Sequence, residues 1–392
     1  MYDAIVVGAR CAGAPTAMLL ARKGYRVLLV DRATFPSDVM QNHVILYRGV
    51  RYLHRWGLLD RLTRTNCPPL RRWLTDFGDF PLIGFPPAED GMPGEYAPRR
   101  YVLDKLLVDA AAEAGAELQE GCPVEGVIQK DGRVTGIRYR TPQGTATQAT
   151  ARIVVGADGR HSLVARAVGA TTYHERPALT CGYYSYWEGT ETDGMEIHVL
   201  DRPALLLAFQ TNDGLACIAA QWPIGDFRAI RADIEGNLFK TLDLAPELAT
   251  RVRAGRRVEH FRGSADLANF FRQAAGSGWA LVGDAGVHKD PYTASGISDA
   301  FRDADLLAAA VDAGLSGRAP LDDALAAYGP QRDAAVLPYY EDTCQSAAFP
   351  PPSQEFLSLR AALRGNQQAI DRLYGVGRGI VARDDVMPAA IA

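Results

Sequence analysis

The stretch Tyr2-Asp3-Ala4-Ile5-Val6-Val7-Gly8-Ala9-Arg10-Cys11-Ala12-Gly13, continued to Asp31, decides the fold. Residues 2–7 read as a short buried strand. Ala12 to Lys23 reads as a helix, with Pro15 in its first turn, where a missing N–H costs nothing, and Gly24 to stop it. Tyr25 to Val30 is a second buried strand ending in Asp31. Continuous apolar strands of this kind suit a parallel sheet covered on both faces. The segment Gly8–Gly13 follows a strand and opens a helix, the context in which a glycine fingerprint points to a dinucleotide. The helix start offers free N–H groups and a positive dipole end to a pyrophosphate. Gly8 permits the tight turn, Gly13 lets helix and strand pack closely, and Asp31 is placed to accept hydrogen bonds from a ribose. Arg10 stands where the second glycine usually does, and its guanidinium can lie along the phosphates.

Working outward, 392 residues exceed one ordinary core, so two or more lobes are expected. Apolar content of 47%, charged content of 22% and a formal net charge of -4 fit a soluble globular enzyme with no nucleic-acid-binding face. No apolar run approaches the roughly 18 residues of a membrane span, and the N-terminus lacks the basic region of a signal peptide. The six cysteines are scattered without a CxxC, which predicts reduced thiols in a cytoplasmic protein. The seven histidines show no HxxxH or HExxH spacing, so no metal site is expected. A monomer or homodimer is expected.

Further along, residues 76–98 are rich in Pro and Gly and read as loop, and Arg100 to Ala114 reads as a helix. Residues 124–140 carry a hairpin turning at Asp131-Gly132. After about residue 178 the texture changes. Segments 180–188, 195–200, 204–210 and 215–222 are strand-like and separated by turns, the pattern of an antiparallel sheet. Alternation puts Tyr184, Tyr186 and Glu188 on one face and Tyr183, Ser185 and Trp187 on the other, without saying which is solvated. A buried strand at Trp279 to Val282 and a helix at 298–313 follow. The tail, 321–392, reads as mostly helical, interrupted at Phe349-Pro350-Pro351-Pro352.

Two more motifs carry chemistry. Val154-Val155-Gly156-Ala157-Asp158-Gly159-Arg160-His161-Ser162 is a buried strand ending in an Asp-Gly turn. Gly283-Asp284-Ala285-Gly286 continues through Pro291 to Gly296-Ile297-Ser298, a strand that delivers an aspartate, a proline-bearing loop and a helix start. Such a helix start can stabilise negative charge.

In this order and at these separations the three motifs are those of the para-hydroxybenzoate hydroxylase-like FAD monooxygenase superfamily, which this chain resembles over about residues 2–330. That superfamily also holds geranylgeranyl reductases and flavin halogenases. The resemblance implies an α/β fold: a FAD-binding Rossmann-type domain (1–72, 98–178 and 266–330), an inserted antiparallel-sheet substrate domain (73–97 and 179–265) and a C-terminal helical segment (331–392). It implies noncovalent FAD held by Gly8, Ala9, Arg10, Ala12, Gly13, Asp31, Arg32, Arg100, Asp158, Gly159, Gly283, Asp284, Pro291, Gly296 and Ile297. His43, Tyr184, Tyr186 and Tyr292 are the candidates for the catalytic face. The implied reaction is a monooxygenation with NAD(P)H as electron donor and O2, in which a flavin C4a-hydroperoxide hydroxylates or epoxidises a small organic substrate, aromatic or polyketide-like. A C=C reduction of the geranylgeranyl reductase type, or a redox-neutral cyclisation, is the alternative. A halogenase is disfavoured by the absence of Trp-x-Trp-x-Ile-Pro and of any lysine between 24 and 104. Two positions depart from the superfamily pattern. Ala165 stands where an arginine is usual, with Arg166 next, and Val287 where a histidine is usual, with His288 next.

Overall fold

The computed structural model describes residues 1–40, 43–200 and 203–382. The chain opens with β1 (Tyr2–Val7), α1 (Gly13–Arg22) and β2 (Val27–Val30), the unit read from the fingerprint. It continues through α2 (Tyr47–Arg55), β3 (Trp73–Asp76), β4 (Pro81–Gly84), α3 (Arg100–Glu113) and β5 (Glu117–Gln119). A hairpin β6 (Val124–Lys130) and β7 (Arg133–Arg140) leads into the long β8 (Ala146–Gly156). Asp131 (φ 52°) and Gly132 (φ 76°) supply the left-handed conformations that its two-residue turn demands.

One sheet runs β13–β8–β1–β2–β5, all parallel, where β13 is Trp279–Leu281. Its strands alternate between two cores. Ala4 and Val6 pack with Met18, Leu103 and Phe301 on the helical face. Ile5 and Val7 pack with Val127, Ile137 and Tyr139 of the hairpin on the other. Both faces are therefore buried, which is why β1 and β2 read as unbroken apolar runs, each large side chain contributing about 1.5–3 kcal/mol. β8 is longer than the buried strand read ahead of the Asp158-Gly159 turn. Residues 146–150 pair antiparallel with β7 before 151–156 pair parallel with β1. Because the chain leaves β1 for β2 on one side and returns beside it as β8 on the other, a crevice opens at the C-terminal end of β1.

The second sheet is built from β9 (Thr180–Glu188), β10 (Met195–Leu200), β11 (Ala204–Gln210) and β12 (Ala216–Pro223), in the order β9–β12–β11–β10–β3–β4. Within it, Tyr184 and Leu207 both flank Ala219, and Tyr186 and Phe209 both flank Cys217. Two expectations are corrected. The sheet is not purely antiparallel, since β3 pairs parallel with β10. The stretch 76–98, read as loop, contains β4, which extends the sheet by pairing with β3. The outer face, with Cys181, Trp187, Leu206, Ile218 and Trp222, is covered by three helices, α4 (Phe227–Ala232), α5 (Ile234–Leu242) and α6 (Pro246–Ala254). Tyr184 and Tyr186 thus lie on the inner face, toward the first sheet.

The chain ends in α7 (Gly296–Leu315), α8 (Leu321–Ala347), α9 (Gln354–Leu363) and α10 (Gln367–Gly377). The boundary expected at 331 falls inside α8, and residues 383–392 of the tail lie outside the described residues. α9 and α10 pack on β4, where the Tyr374 hydroxyl donates to Leu82 O (2.9 Å). Among the described residues, no helix is long and apolar enough to cross a membrane, and no cluster of His, Cys, Asp or Glu is arranged to hold a metal ion.

Candidate active site

A cavity of about 750 Å3 extends from the end of β1 to the inner face of the second sheet. Gly8, Arg10, Ala12, Asp31, Arg32, Arg100, Asp158, Gly159, Asp284, Pro291, Gly296 and Ile297 line it, as do His43 and Tyr184. The three motifs, far apart in sequence, therefore meet around one space. Ala9, Gly13, Gly283, Tyr186 and Tyr292 do not form its wall.

The backbone at the fingerprint is fixed by close approach. Gly8 has φ +99°, and a Cβ there would lie 2.4 Å from Ala157 O. A Cβ on Gly13 would lie 1.8 Å from Gly8 O, so any side chain would push α1 off the strand. Asp31 ties the turn to β2: Ala9 N–H donates to its Oδ2 (2.7 Å) and Ala33 N–H to its Oδ1 (2.8 Å). Arg10 and Arg100 converge on the buried Asp104, which Arg100 meets at 2.9 Å. Arg10 also donates to Ser37 Oγ (2.9 Å). Burial alone would lower the Arg100 pKa, but Asp104 beside it raises it, so the guanidinium stays charged. Arg10 and Arg100, gathered on Asp104 beside the α1 N-terminus, form a donor set suited to a pyrophosphate.

Asp158 does not aim its charge into the cavity. Its carboxylate accepts from Ser162 Oγ (2.5 Å) and from Leu163 N–H (2.7 Å), capping the short helix Leu163–Ala167. That helix buries Ala165 and turns Arg166 onto the cavity wall, so the shift by one residue still leaves an arginine facing the space. Arg160 and His161 line the same rim.

Asp284 has no hydrogen-bonding partner among the described residues. Gly296, at the start of α7, has open space where its Cβ would be. An unpaired carboxylate beside an open helix N-terminus suits a sugar-alcohol chain and a ring that takes up negative charge. The donor set fits FAD: cations and N–H groups at one end, Asp284 between, and the α7 terminus at the other.

At the sheet end the wall includes Tyr184, Leu207, Phe209, Cys217, Ala219 and the buried Gln221, with Val44 and His43 beside it. His43 is buried. Its Nδ1 lies 3.0 Å from Ala97 O and its Nε2 2.9 Å from the Tyr186 hydroxyl. Burial pushes the His43 pKa down to about 3. Burial also raises the Tyr186 pKa, assisted by Cys217 and Tyr184 and opposed by Arg99, whose guanidinium covers the ring at 3.7 Å. Tyr292 packs against Phe349 (5.5 Å between centroids). Sequence reasoning passed over Leu207, Phe209, Cys217 and Ala219. Their signal was available in the alternation of β11 and β12, once the inner face was known.

A family described as FAD binding domain matches residues 1–186. That match covers just under half of the chain and includes the first two motifs. The chain is 28% identical over 231 residues to Protein FixC of Salmonella typhimurium, a match covering 57% of this chain and only 50% of FixC. It is 28% identical over 313 residues to digeranylgeranylglycerophospholipid reductase 1 of Methanopyrus kandleri, covering 76% of this chain and 77% of the reductase. Its fold is similar to that of the myxobacterial chondrochloren halogenase CndH (TM-score 0.81, 22% identity, 97% of this chain and 99% of that one). It is also similar to PqsL of Pseudomonas aeruginosa, described as a probable FAD-dependent monooxygenase (TM-score 0.72, 21% identity, 96% and 99%).

Proposed function

We propose that this flavoprotein is an NAD(P)H-dependent monooxygenase acting on a neutral, largely apolar organic molecule, aromatic or polyketide-like. The observation that carries the reading is the sheet end of the cavity. Its wall is mostly apolar or aromatic, Gln221 adds a neutral amide, and burial keeps the adjoining His43 uncharged near neutral pH. A charged substrate would be desolvated there without a partner, at a cost of several kcal/mol, whereas an apolar one is favoured. Bound FAD supplies the electron transfer and the oxygen chemistry. The chain's own residues would bind and orient. Arg10, Arg100 and the α1 terminus hold the pyrophosphate, Asp284 holds the ribityl chain, and the α7 terminus faces the ring. Tyr184, Leu207 and Phe209 exclude water from the reacting centre. Arg166, with Arg160 beside it 3.4 Å from Asp266, supports docking of the anionic nicotinamide dinucleotide.

A second reading is saturation of C=C bonds in a prenyl-like chain. It is favoured by the match to the Methanopyrus kandleri reductase over three quarters of both chains, and an apolar wall suits such a chain equally well. The deciding experiment follows NAD(P)H oxidation with candidate substrates under 18O2. One labelled oxygen in the product supports the monooxygenase. Two added hydrogens and no label support the reductase. An isomeric product formed without O2 or NAD(P)H supports a redox-neutral cyclisation and overturns both.

A further inference from the structure

Lys289 is buried and lines both the large cavity and a second one of about 20 Å3 beneath the first turn of α7. That smaller volume suffices for about one water. Its other polar walls are Asp284, Asp299 and Asp303. The Lys289 ammonium donates to Asp299 Oδ2. Asp299 also faces Arg302 (2.9 Å) and Arg48 (3.4 Å), and Arg302 in turn bonds Asp303 (2.7 Å). Burial alone would raise the Asp299 pKa, but Lys289, Arg302 and Arg48 together hold it below the usual carboxylate range. Arg302 is shared with Asp303, so Lys289, Arg48 and Arg302 meet the two carboxylates Asp299 and Asp303. A third cation, taken out of water at considerable cost, is more than packing requires.

We propose that Lys289 is the fixed positive charge that, together with the N-terminus of α7, stabilises the negative charge of reduced FAD. This rests on the assignment of the flavin ring to the Gly283–Gly296 loop. Hydride transfer from the nicotinamide adds two electrons and one proton to the ring, which then carries one negative charge at neutral pH. An ammonium held at the junction of the two cavities lowers the energy of that charge, as the α7 N–H groups do. Asp299, Arg48 and Arg302 keep the ammonium in place.

The test is the midpoint potential of bound FAD and its affinity for sulfite, whose flavin adduct carries negative charge on the same ring. Lys289→Met shifts the potential to more negative values and weakens sulfite binding by on the order of tenfold. Asp299 stays paired with Arg48 and Arg302 in this variant, so the fold survives. Lys289→Arg stays near the parent protein. Asp299→Asn, which removes the counterion, shifts both readouts the opposite way. Unchanged readouts in Lys289→Met, or shifts of the same sign in Lys289→Met and Asp299→Asn, overturn the proposal. Gly296→Val separates the two levels, because its added side chain meets only open space in the protein. Loss of FAD in Gly296→Val with a silent Lys289→Met overturns the role of Lys289 alone. Full FAD content and an unaltered flavin spectrum in Gly296→Val overturn the ring assignment itself.

Discussion

The Tyr186 hydroxyl donates to Nε2 of His43 across 2.9 Å, and the tautomer follows from the other side of the ring. Nδ1 lies 3.0 Å from Ala97 O, a carbonyl that can only accept, so Nδ1 carries the proton and Nε2 is the acceptor. Both ring nitrogens are satisfied in the neutral form, and protonating Nε2 would displace the tyrosine proton. The pair is therefore neutral, with His43 in the cavity wall and Tyr186 holding it from behind.

This makes His43 a source of acid sensitivity. Its folded pKa, about 3, lies below the value near 6.5 of an unfolded histidine. Between those values the unfolded chain binds a proton that the native protein does not. The sign is therefore a loss of stability as pH falls from about 6.5 toward about 3, with no His43 contribution to pH dependence above that window. Going from pH 7 to pH 5, the parent protein should lose about 2 kcal/mol more than His43→Gln, measured by urea unfolding at both pH values. Equal losses would show that His43 titrates normally in the folded state.

Asp284 is the carboxylate of the third motif and has no protein hydrogen-bonding partner among the described residues. Its replacement should therefore be felt by the ligand and hardly by the fold. Asp284→Ala is expected to weaken FAD binding roughly 10- to 150-fold, the loss of one charge-assisted hydrogen bond, with little change in the melting temperature of the apoprotein. Fluorescence titration of apoprotein with FAD checks this, and an unchanged affinity removes Asp284 from the site.

Just past α10, a buried ion pair fastens the C-terminal segment to the short strand Glu95–Tyr96, which pairs with Pro69–Leu70. Arg378 meets Glu95 at 2.9 and 2.6 Å and also donates to the carbonyls of Pro86 and Pro87, while Trp73 Nε1 donates to the same carboxylate. Both partners are almost fully buried. Arg378→Ala leaves Glu95 charged and buried with only the indole for company, at a cost of about 3–5 kcal/mol. Arg378→Ala with Glu95→Gln should recover part of that loss. A single variant as stable as the parent in chemical denaturation would mean that the tail is not docked as described.

How much of this was legible depended on whether the signal was local. The strand-helix-strand unit, the Asp131-Gly132 hairpin and the four strands from 180 to 223 are specified by short-range patterns, and all appear within a few residues of the expected bounds. The three helices that cover the outer face were not foreseen, although Asp233 caps α5 and Pro246 opens α6. Those signals are short and sit within a segment whose strands dominate the pattern. β4 was missed because its pairing with β3 is a tertiary fact in a Pro- and Gly-rich stretch. The tight glycine turn at the end of β1 was readable, since close backbone approach and glycine spacing encode it. The substrate end was not. Which face of an alternating strand looks inward depends on what packs against it, and only the assembled sheet shows that Tyr184 faces the cavity while Trp187 lies under the helices.

That inner face leads to a prediction about substrate size. Ala219 is the small residue in a row running Leu207, Ala219, Tyr184 across three strands, and it lines the cavity. The neighbouring row, Phe209, Cys217, Tyr186, is bulkier. The alanine therefore leaves space against the sheet, which the proposed function assigns to the substrate's apolar body. Ala219→Leu should fill it without reaching the phosphate or ribityl ends of the cavity, so FAD content stays normal. Discrimination between analogues differing by a methylene or two in an apolar pocket is on the order of tenfold or more. In a homologous substrate series assayed by stimulated NAD(P)H oxidation, Ala219→Leu should raise KM selectively for the larger members and leave the smaller ones near parent values. A uniform loss across the series, or none, would place the substrate away from the Ala219 row.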